Sequence, residues 1–451
     1  MTQTITISRP LRHLVHQRDN ANRAAVPVVG VAPVGSDRLS VQLTPVKGGT
    51  AVATTLTPDA TTGQFSGNII ATGGSYALSI TAYQNGSVVG TGQVSRVNVG
   101  EVLLNFGHSV AQGGIDANVA KYGNTTGPPA TDDRVIVATG VQPYPYDESK
   151  LALDFQPLTA APMNILPFNP GPYVYGLLGD KLVKQLGVPV LFLGCAFGGS
   201  NLDQCVKVIQ GIPFDHSFIK YDQRFPIRQV ESALSVYVPL TGGLRGIFMN
   251  HGANDRIDGT TADQFKERVR IVVDHLRKKA GRPDLAVWVA VDNQPTPDAI
   301  DLVAIRAGQE AAIASIPGVR RGLDLSKLFV SDRPDNVHLH ENGFNRYAQG
   351  WADVLTPAAL ASCPMPAVVV PADPTPTVPT TPNPTLTTLA TTLSQYGPAV
   401  ALVVGVCLLT YVAWQRRQSL LLVAGGVVAV AGALVFTRTP RPTTDTTPTA
   451  A

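Results

Sequence analysis

The stretch Val99-Gly100-Glu101-Val102-Leu103-Leu104-Asn105-Phe106-Gly107-His108-Ser109-Val110-Ala111 decides how the rest of the chain is read. It is an apolar run of strand length that ends in glycine and then serine. A strand that stops at Gly-x-Ser can place a hydroxyl at the carboxyl edge of a sheet with its backbone N–H still free to donate. On its own such a turn is more often structural than catalytic. Its meaning depends on what ends the neighbouring strands.

Three further blocks complete the pattern. Gly194-Cys195-Ala196-Phe197-Gly198-Gly199-Ser200 follows an apolar strand, and its paired glycines would let a backbone N–H approach a developing oxyanion. The alternative is a tight strand-to-loop turn. Gly246-Ile247-Phe248-Met249-Asn250-His251-Gly252-Ala253-Asn254-Asp255 runs from strand to polar loop and offers the Asn254 amide as a donor. Asp335-Asn336-Val337-His338-Leu339-His340 precedes the last helix. A histidine there can take a serine proton, and a carboxylate three residues earlier can fix its tautomer. His340 competes with His338 for the role of base.

Outward from these blocks the chain divides by pattern. Up to about Gly100 short segments alternate apolar and polar positions between Gly, Asn and Asp turns: Val26 to Val31, Leu39 to Leu43, Gln64 to Ile70, Tyr76 to Tyr83 and Val88 to Val97. Asn85-Gly86 is a hairpin turn. These features predict a small antiparallel β-sandwich over 1–98. From Val99 onward nearly continuous apolar segments alternate with helix-length ones. Glu101 to Phe106, Arg134 to Thr139, Val188 to Phe192, Leu244 to Met249 and Leu285 to Val291 read as buried parallel strands. In Thr261 to Lys279, Phe265, Val269, Val272, Val273 and Leu276 share one helix face, with Thr261 and Gln264 fitting a capping box at its start. The pattern predicts a doubly wound α/β sheet over 99–363, whose ligands gather at the carboxyl ends of the strands.

The order Ser, Gly, Asn, Asp-x-x-His, each block after a strand, resembles the SGNH hydrolase superfamily. Gly73-Gly74-Ser75-Tyr76-Ala77-Leu78, continuing through Val97 to Val102 into Gly107-His108-Ser109, resembles its sialate O-acetylesterase branch, in which a β-rich domain leads into a Gly-Gln-Ser-Asn motif. The resemblance covers roughly Ile5 to Ala361. It implies a flavodoxin-like three-layer fold and a carbohydrate O-acetylesterase. Ser109 would be the nucleophile, Asp335 and His338 would complete the triad, and Ser109, Gly199 and Asn254 would supply the oxyanion hole. The substrate would be an acylated carbohydrate or another small ester, with no cofactor and no metal in the chemistry. Two departures bear on substrate more than on reaction: His108 and Val110 replace Gln and Asn around the serine, and His251-Gly252-Ala253 replaces Gln-Gly-Glu. They keep open a broader lipase or arylesterase, and also a membrane-tethered carbohydrate-binding protein that has lost turnover.

Hydrophobic residues make up 44% of the 451 and charged residues 15%, with a formal net charge of +3. That balance excludes a charge-rich disordered chain and gives no reason to expect nucleic acid. Cys195, Cys205, Cys363 and Cys407 have no metal-ligand spacing; buried thiols fit them better than a Cys195–Cys205 bridge. The proline-rich segment Val141 to Pro172, with Tyr144, Tyr146, Phe155 and Phe168, reads equally as a substrate-facing loop or as aromatic packing onto the body. Pro and Thr dominate 364–395 and predict an extended linker. Beyond it Pro398 to Trp414 and Leu420 to Phe436 are uncharged apolar runs separated by a turn bearing Arg416 and Arg417. They predict a membrane helical hairpin over 396–437, followed by a disordered tail over 438–451. The basic turn favours a cytoplasmic hairpin loop and an extracytoplasmic esterase, although Met1 to Gly35 shows no secretory signal.

Overall fold

The computed structural model describes residues 2–113, 127–143, 146–160, 163–291, 302–333 and 338–369. Residues 1–370 form one compact unit. The proposed linker beyond residue 369, the membrane hairpin and the tail lie outside the described residues. Among the described residues no helix is long and apolar enough to cross a membrane.

The strands are β1 (Gln3–Thr4), β2 (Thr6–Arg9), β3 (Val15–Gln17), β4 (Arg23–Val31), β5 (Arg38–Pro45), β6 (Val52–Leu56), β7 (Gln64–Thr72), β8 (Gly74–Gln84), β9 (Ser87–Gly107), β10 (Val135–Thr139), β11 (Asp154–Pro157), β12 (Val190–Gly194), β13 (Gly246–Asn250), β14 (Ala286–Val291) and β15 (Val319–Asp324). The helices that matter to the site are α1 (Ser109–Gln112), α2 (Tyr175–Leu186), α3 (Leu202–Gln210), α4 (Ala253–Ile257), α5 (Ala262–Ala280), α6 (Leu302–Ser315) and α7 (Glu341–Val354).

In the β-rich part β2, β4 and β7 form a separate antiparallel sheet. It packs against the β5–β6–β8–β9 ladder through Val26, Val28, Leu39, Val41, Leu78 and Ile80. The alternation of buried and exposed positions along β4, β5 and β8 is what a two-layer sandwich requires, since each strand turns every second side chain inward.

The second sheet has the order β11-β10-β12-β9-β13-β14-β15, and all its pairings are parallel except β11 on β10. Its central strands are buried from end to end, which accounts for their continuous apolar character. Along β9, Val102, Leu104 and Phe106 enter one core, with Leu202 of α3 and the apolar face of α5. Leu103 enters the other, with Leu178 of α2 and Phe344, Tyr347 and Trp351 of α7. Helices therefore cover both faces. At α5, Thr261 caps the helix and Gln264 returns the bond to the Thr261 N–H, as its sequence predicts.

One correction concerns β9. The sequence reads Val88 to Val97 and Glu101 to Phe106 as separate strands, whereas Ser87–Gly107 is a single strand of 21 residues that pairs with β8 in its first part and with β12 and β13 in its last. Gly100 is the reason the two read apart. A Cβ there would stand 1.9 Å from the Pro189 carbonyl oxygen, so glycine marks a close backbone approach and not a break. Where the two sheets meet, Glu101 accepts from Arg18 Nε and from Arg245 Nε, both at 2.7 Å, and from Gln17 Nε2 at 2.9 Å. Glu101 and Arg245 are fully buried, so their mutual partnership offsets the cost of taking both charges out of water.

Candidate active site

Three strand ends lie in register. Gly194 of β12 is opposite Asn105 of β9, and Asn250 of β13 is opposite Gly107 of β9. The loops that leave these strands therefore emerge side by side at the carboxyl edge of the sheet, where a doubly wound fold binds its ligands.

Ser109 opens α1, the single turn that follows β9, and its side chain is almost fully buried. Its N–H precedes the first intrahelical acceptor, as the first N–H groups of any helix do. The His338 Nε2 lies 2.8 Å from Ser109 Oγ, within the range for proton transfer to a general base. His338 sits two residues before the N-cap of α7, and α7 packs on the opposite face of the sheet from α3 and α5. His340, the competing histidine, is that N-cap, and its N–H is bonded to the Asp332 carbonyl oxygen at 3.0 Å. Asp335 lies outside the described residues. The described carboxylate nearest to it in sequence, Asp332, is held by Arg346 Nε at 3.2 Å and by the Phe329 N–H at 2.8 Å, so it anchors the histidine loop to α7.

Gly199 has φ +76, a conformation glycine adopts without strain. Its N–H has no acceptor among the described residues, whereas the Gly198 N–H is taken by Gln112 Oε1 at 2.7 Å. Asn254, half-buried on α4, donates Nδ2 to the Ser200 carbonyl oxygen at 2.9 Å. That bond uses one of the two amide hydrogens, leaves the second for a ligand, and ties the asparagine loop to the glycine loop. Ser109 and His338 are thus brought together directly, and Gly199 and Asn254 are joined through Ser200.

His251 is not part of this edge. It is fully buried, packed edge-on against Phe106 with centroids 4.7 Å apart, and neither ring nitrogen has a partner among the described residues. Burial, reinforced by the neighbouring His108, holds its pKa well below the ordinary value, so the ring is neutral. Asp255 is also buried. Its Oδ1 accepts the Leu202 N–H at the start of α3 at 2.9 Å, and burial raises its carboxyl to about 7. It organises the helix after the glycine loop.

A polar network under Ser109 escapes sequence reading. The Ala111 carbonyl oxygen accepts from Asn105 Nδ2 at 3.0 Å, from Asn169 Nδ2 at 3.2 Å and from the Tyr175 hydroxyl. The two asparagines accept in turn from the N–H groups of Cys195 and Ala196, at 2.9 and 3.1 Å. Every one of these groups is buried, so the network fixes α1 and the glycine loop relative to one another. Asn105 carries a signal in the sequence, since it is polar inside an apolar strand. Asn169 and Gln112 carry none.

The Val141 to Pro172 segment holds β11 and a buried Phe155, and its Tyr146 and Phe168 join Phe197 and Phe225 in an aromatic cluster. Tyr144 lies outside the described residues. The aromatics that are described pack the segment onto the body. Cys195, Cys205 and Cys363 are buried free thiols, and burial pushes all three up in pKa. Cys407 lies outside the described residues. Among the described residues no cluster of His, Cys, Asp or Glu has the arrangement of a metal site.

No protein-family model and no curated protein matches this chain. Among solved structures it is similar to a carbohydrate acetylesterase from Xanthomonas citri, at 19% identity over 77% of this chain and 74% of that one, with a TM-score of 0.42. It is also similar to a protein from Arabidopsis thaliana, at 13% identity over 58% of this chain and 99% of that one, with a TM-score of 0.39. A family 3 carbohydrate esterase from Clostridium thermocellum matches at 13% identity over 56% of this chain and 94% of that one, with a TM-score of 0.30. Likenesses this distant leave the reaction to be read from the residues of the site.

Proposed function

We propose that this chain is a serine esterase that removes O-acetyl groups from carbohydrate. The observation that carries the reading is the 2.8 Å hydrogen bond between Ser109 Oγ and His338 Nε2 at the carboxyl edge of the sheet. A serine hydroxyl is a weak nucleophile until an adjacent base takes its proton, and this pairing supplies that base. Ser109 Oγ attacks the ester carbonyl carbon as its proton passes to His338. The charge that develops on the carbonyl oxygen meets the Ser109 N–H, the Gly199 N–H and the second Asn254 amide hydrogen. Collapse expels the alcohol, which takes the proton from His338, and water then attacks the acyl-enzyme by the same path. Asp335 is assigned to hold the His338 tautomer. The carbohydrate substrate rests on the sequence resemblance from Gly73 to Ser109. The C-terminal apolar runs are assigned to a membrane anchor with the esterase on the extracytoplasmic side, which protease shaving of intact cells tests.

The activity is tested with p-nitrophenyl acetate and with an acetylated sugar, against Ser109→Ala as the control. Turnover of both by the wild type and of neither by the variant is the expected result. Equal rates in the two proteins would overturn the reading, and a preference for octanoyl over acetyl esters would replace acetylesterase by lipase.

A further inference from the structure

The ring of Phe218 is 55% exposed, yet it is held from several sides. It stacks parallel on Phe197, with centroids 6.5 Å apart and an angle of 5°, and Phe197 stacks on Phe168 at 4.7 Å and 17°. His216 meets its edge at 4.6 Å, and His216 Nδ1 accepts the Ile219 N–H at 3.1 Å, which fixes the turn that carries Phe218. A Cβ built on Gly199 would stand 2.5 Å from Phe218 Cζ, so the tip of the ring rests on the residue assigned to the oxyanion hole. A lone exposed apolar residue is ordinary. One clamped against an oxyanion donor bounds the space in which a substrate reacts.

The two faces of the sheet decide which part of the substrate it meets. His338 approaches Ser109 from the face covered by α2 and α7. Gly199 and Asn254 lead into α3 and α5 on the other face, and Phe218 lies over Gly199. In the tetrahedral intermediate the leaving oxygen must stay within reach of the His338 proton, while the oxyanion points at Gly199 and Asn254. With the leaving oxygen on the His338 side and the oxyanion on Gly199 and Asn254, the acyl group is assigned the side away from His338, which Phe218 borders at Gly199.

We propose that Phe218 is a specificity-determining residue that closes the acyl side of the site and restricts it to acetyl-sized groups. The proposal rests on the esterase reading above. The test is the kcat/KM series for p-nitrophenyl acetate, butyrate and hexanoate in wild type, Phe218→Ala and Phe218→Leu. Each methylene accommodated in an apolar pocket is worth about tenfold or more in kcat/KM. The hexanoate-to-acetate ratio should therefore rise at least about tenfold in Phe218→Ala and less in Phe218→Leu, whatever the change in the acetate rate itself. An unchanged ratio in folded variants overturns the proposal. So does a raised KM for an acetylated sugar with an unchanged chain-length series, which would make Phe218 a platform for the alcohol. If Phe218→Ala does not fold, Phe218→Leu alone decides by the same ratio. A wild type inert towards every ester strikes the esterase reading itself, so the two failures are distinguishable.

Discussion

Gln112 accepts the Gly198 N–H through its Oε1 at 2.7 Å, and Gln112 belongs to the same helical turn as Ser109. The turn that carries Ser109 and the loop that carries Gly199 are therefore fixed to each other through this side chain. Gln112→Met keeps the length and removes the acceptor. It should lower kcat on the order of ten- to a hundredfold with KM little changed, because small misplacements of reacting groups are costly. A kcat equal to wild type would show that the loop holds its shape without this bond.

His338→Ala should abolish measurable turnover, whereas His340→Ala should keep activity within about tenfold of wild type, since only the first removes the general base. The difference follows from the 2.8 Å contact of His338 with Ser109 and from the N-cap position of His340. The reverse order in a steady-state assay would move the base to His340.

Asn254→Ala should lower kcat on the order of a hundredfold or more, with a much smaller change in KM, because its free amide hydrogen meets charge that appears only in the transition state. His251→Ala should act on stability instead, by about 2 kcal/mol, because it empties a fully buried site against Phe106. A neutral Asn254→Ala beside an inactive but folded His251→Ala would put the donor where acetylesterases carry glutamine.

The stability of the protein should fall in mild acid partly through His16, which lies on β3 opposite Val99 of β9. Burial first, and Arg9 second, lower its pKa from 6.5 to about 4. The unfolded chain takes up the proton first, so the contribution is complete above about pH 6.5 and is lost as pH falls towards 4. His16→Leu removes this term, and the loss of unfolding free energy between pH 7 and pH 4 should be smaller than in wild type by up to about 3 kcal/mol. Urea unfolding at both pH values checks it; parallel losses in the two proteins would contradict it.

The elements that could be read from sequence are those whose pattern is local. The apolar run before Gly107 and the apolar stripe of α5 announce themselves because each is buried as a unit. β15 does not. Its Arg320 and Arg321 reach Ser362 and Glu310 from the edge of the sheet, where charged side chains are tolerated, and they hide a strand whose Leu323 is buried. The site divides in the same way. Ser109, Gly199 and Asn254 follow strand ends with glycines beside them, and His338 stands just before a helix start. Gln112 and Asn169 act on partners far along the chain, so nothing in their own neighbourhoods marks them.

The continuity of β9 sets the size of the piece that can be exchanged between proteins. A crossover placed at residue 98 would cut the strand whose far end positions Ser109, and it would also strand Glu101 from Arg18 and Gln17. The α/β part cannot be cut away at residue 98 without breaking its own central strand. A chimaera that exchanges the β-rich part should instead join inside an exposed turn, such as Asn85-Gly86, so that the whole of Ser87–Gly107 comes from one parent, and it must carry Gln17 and Arg18 over so that Glu101 keeps its partners.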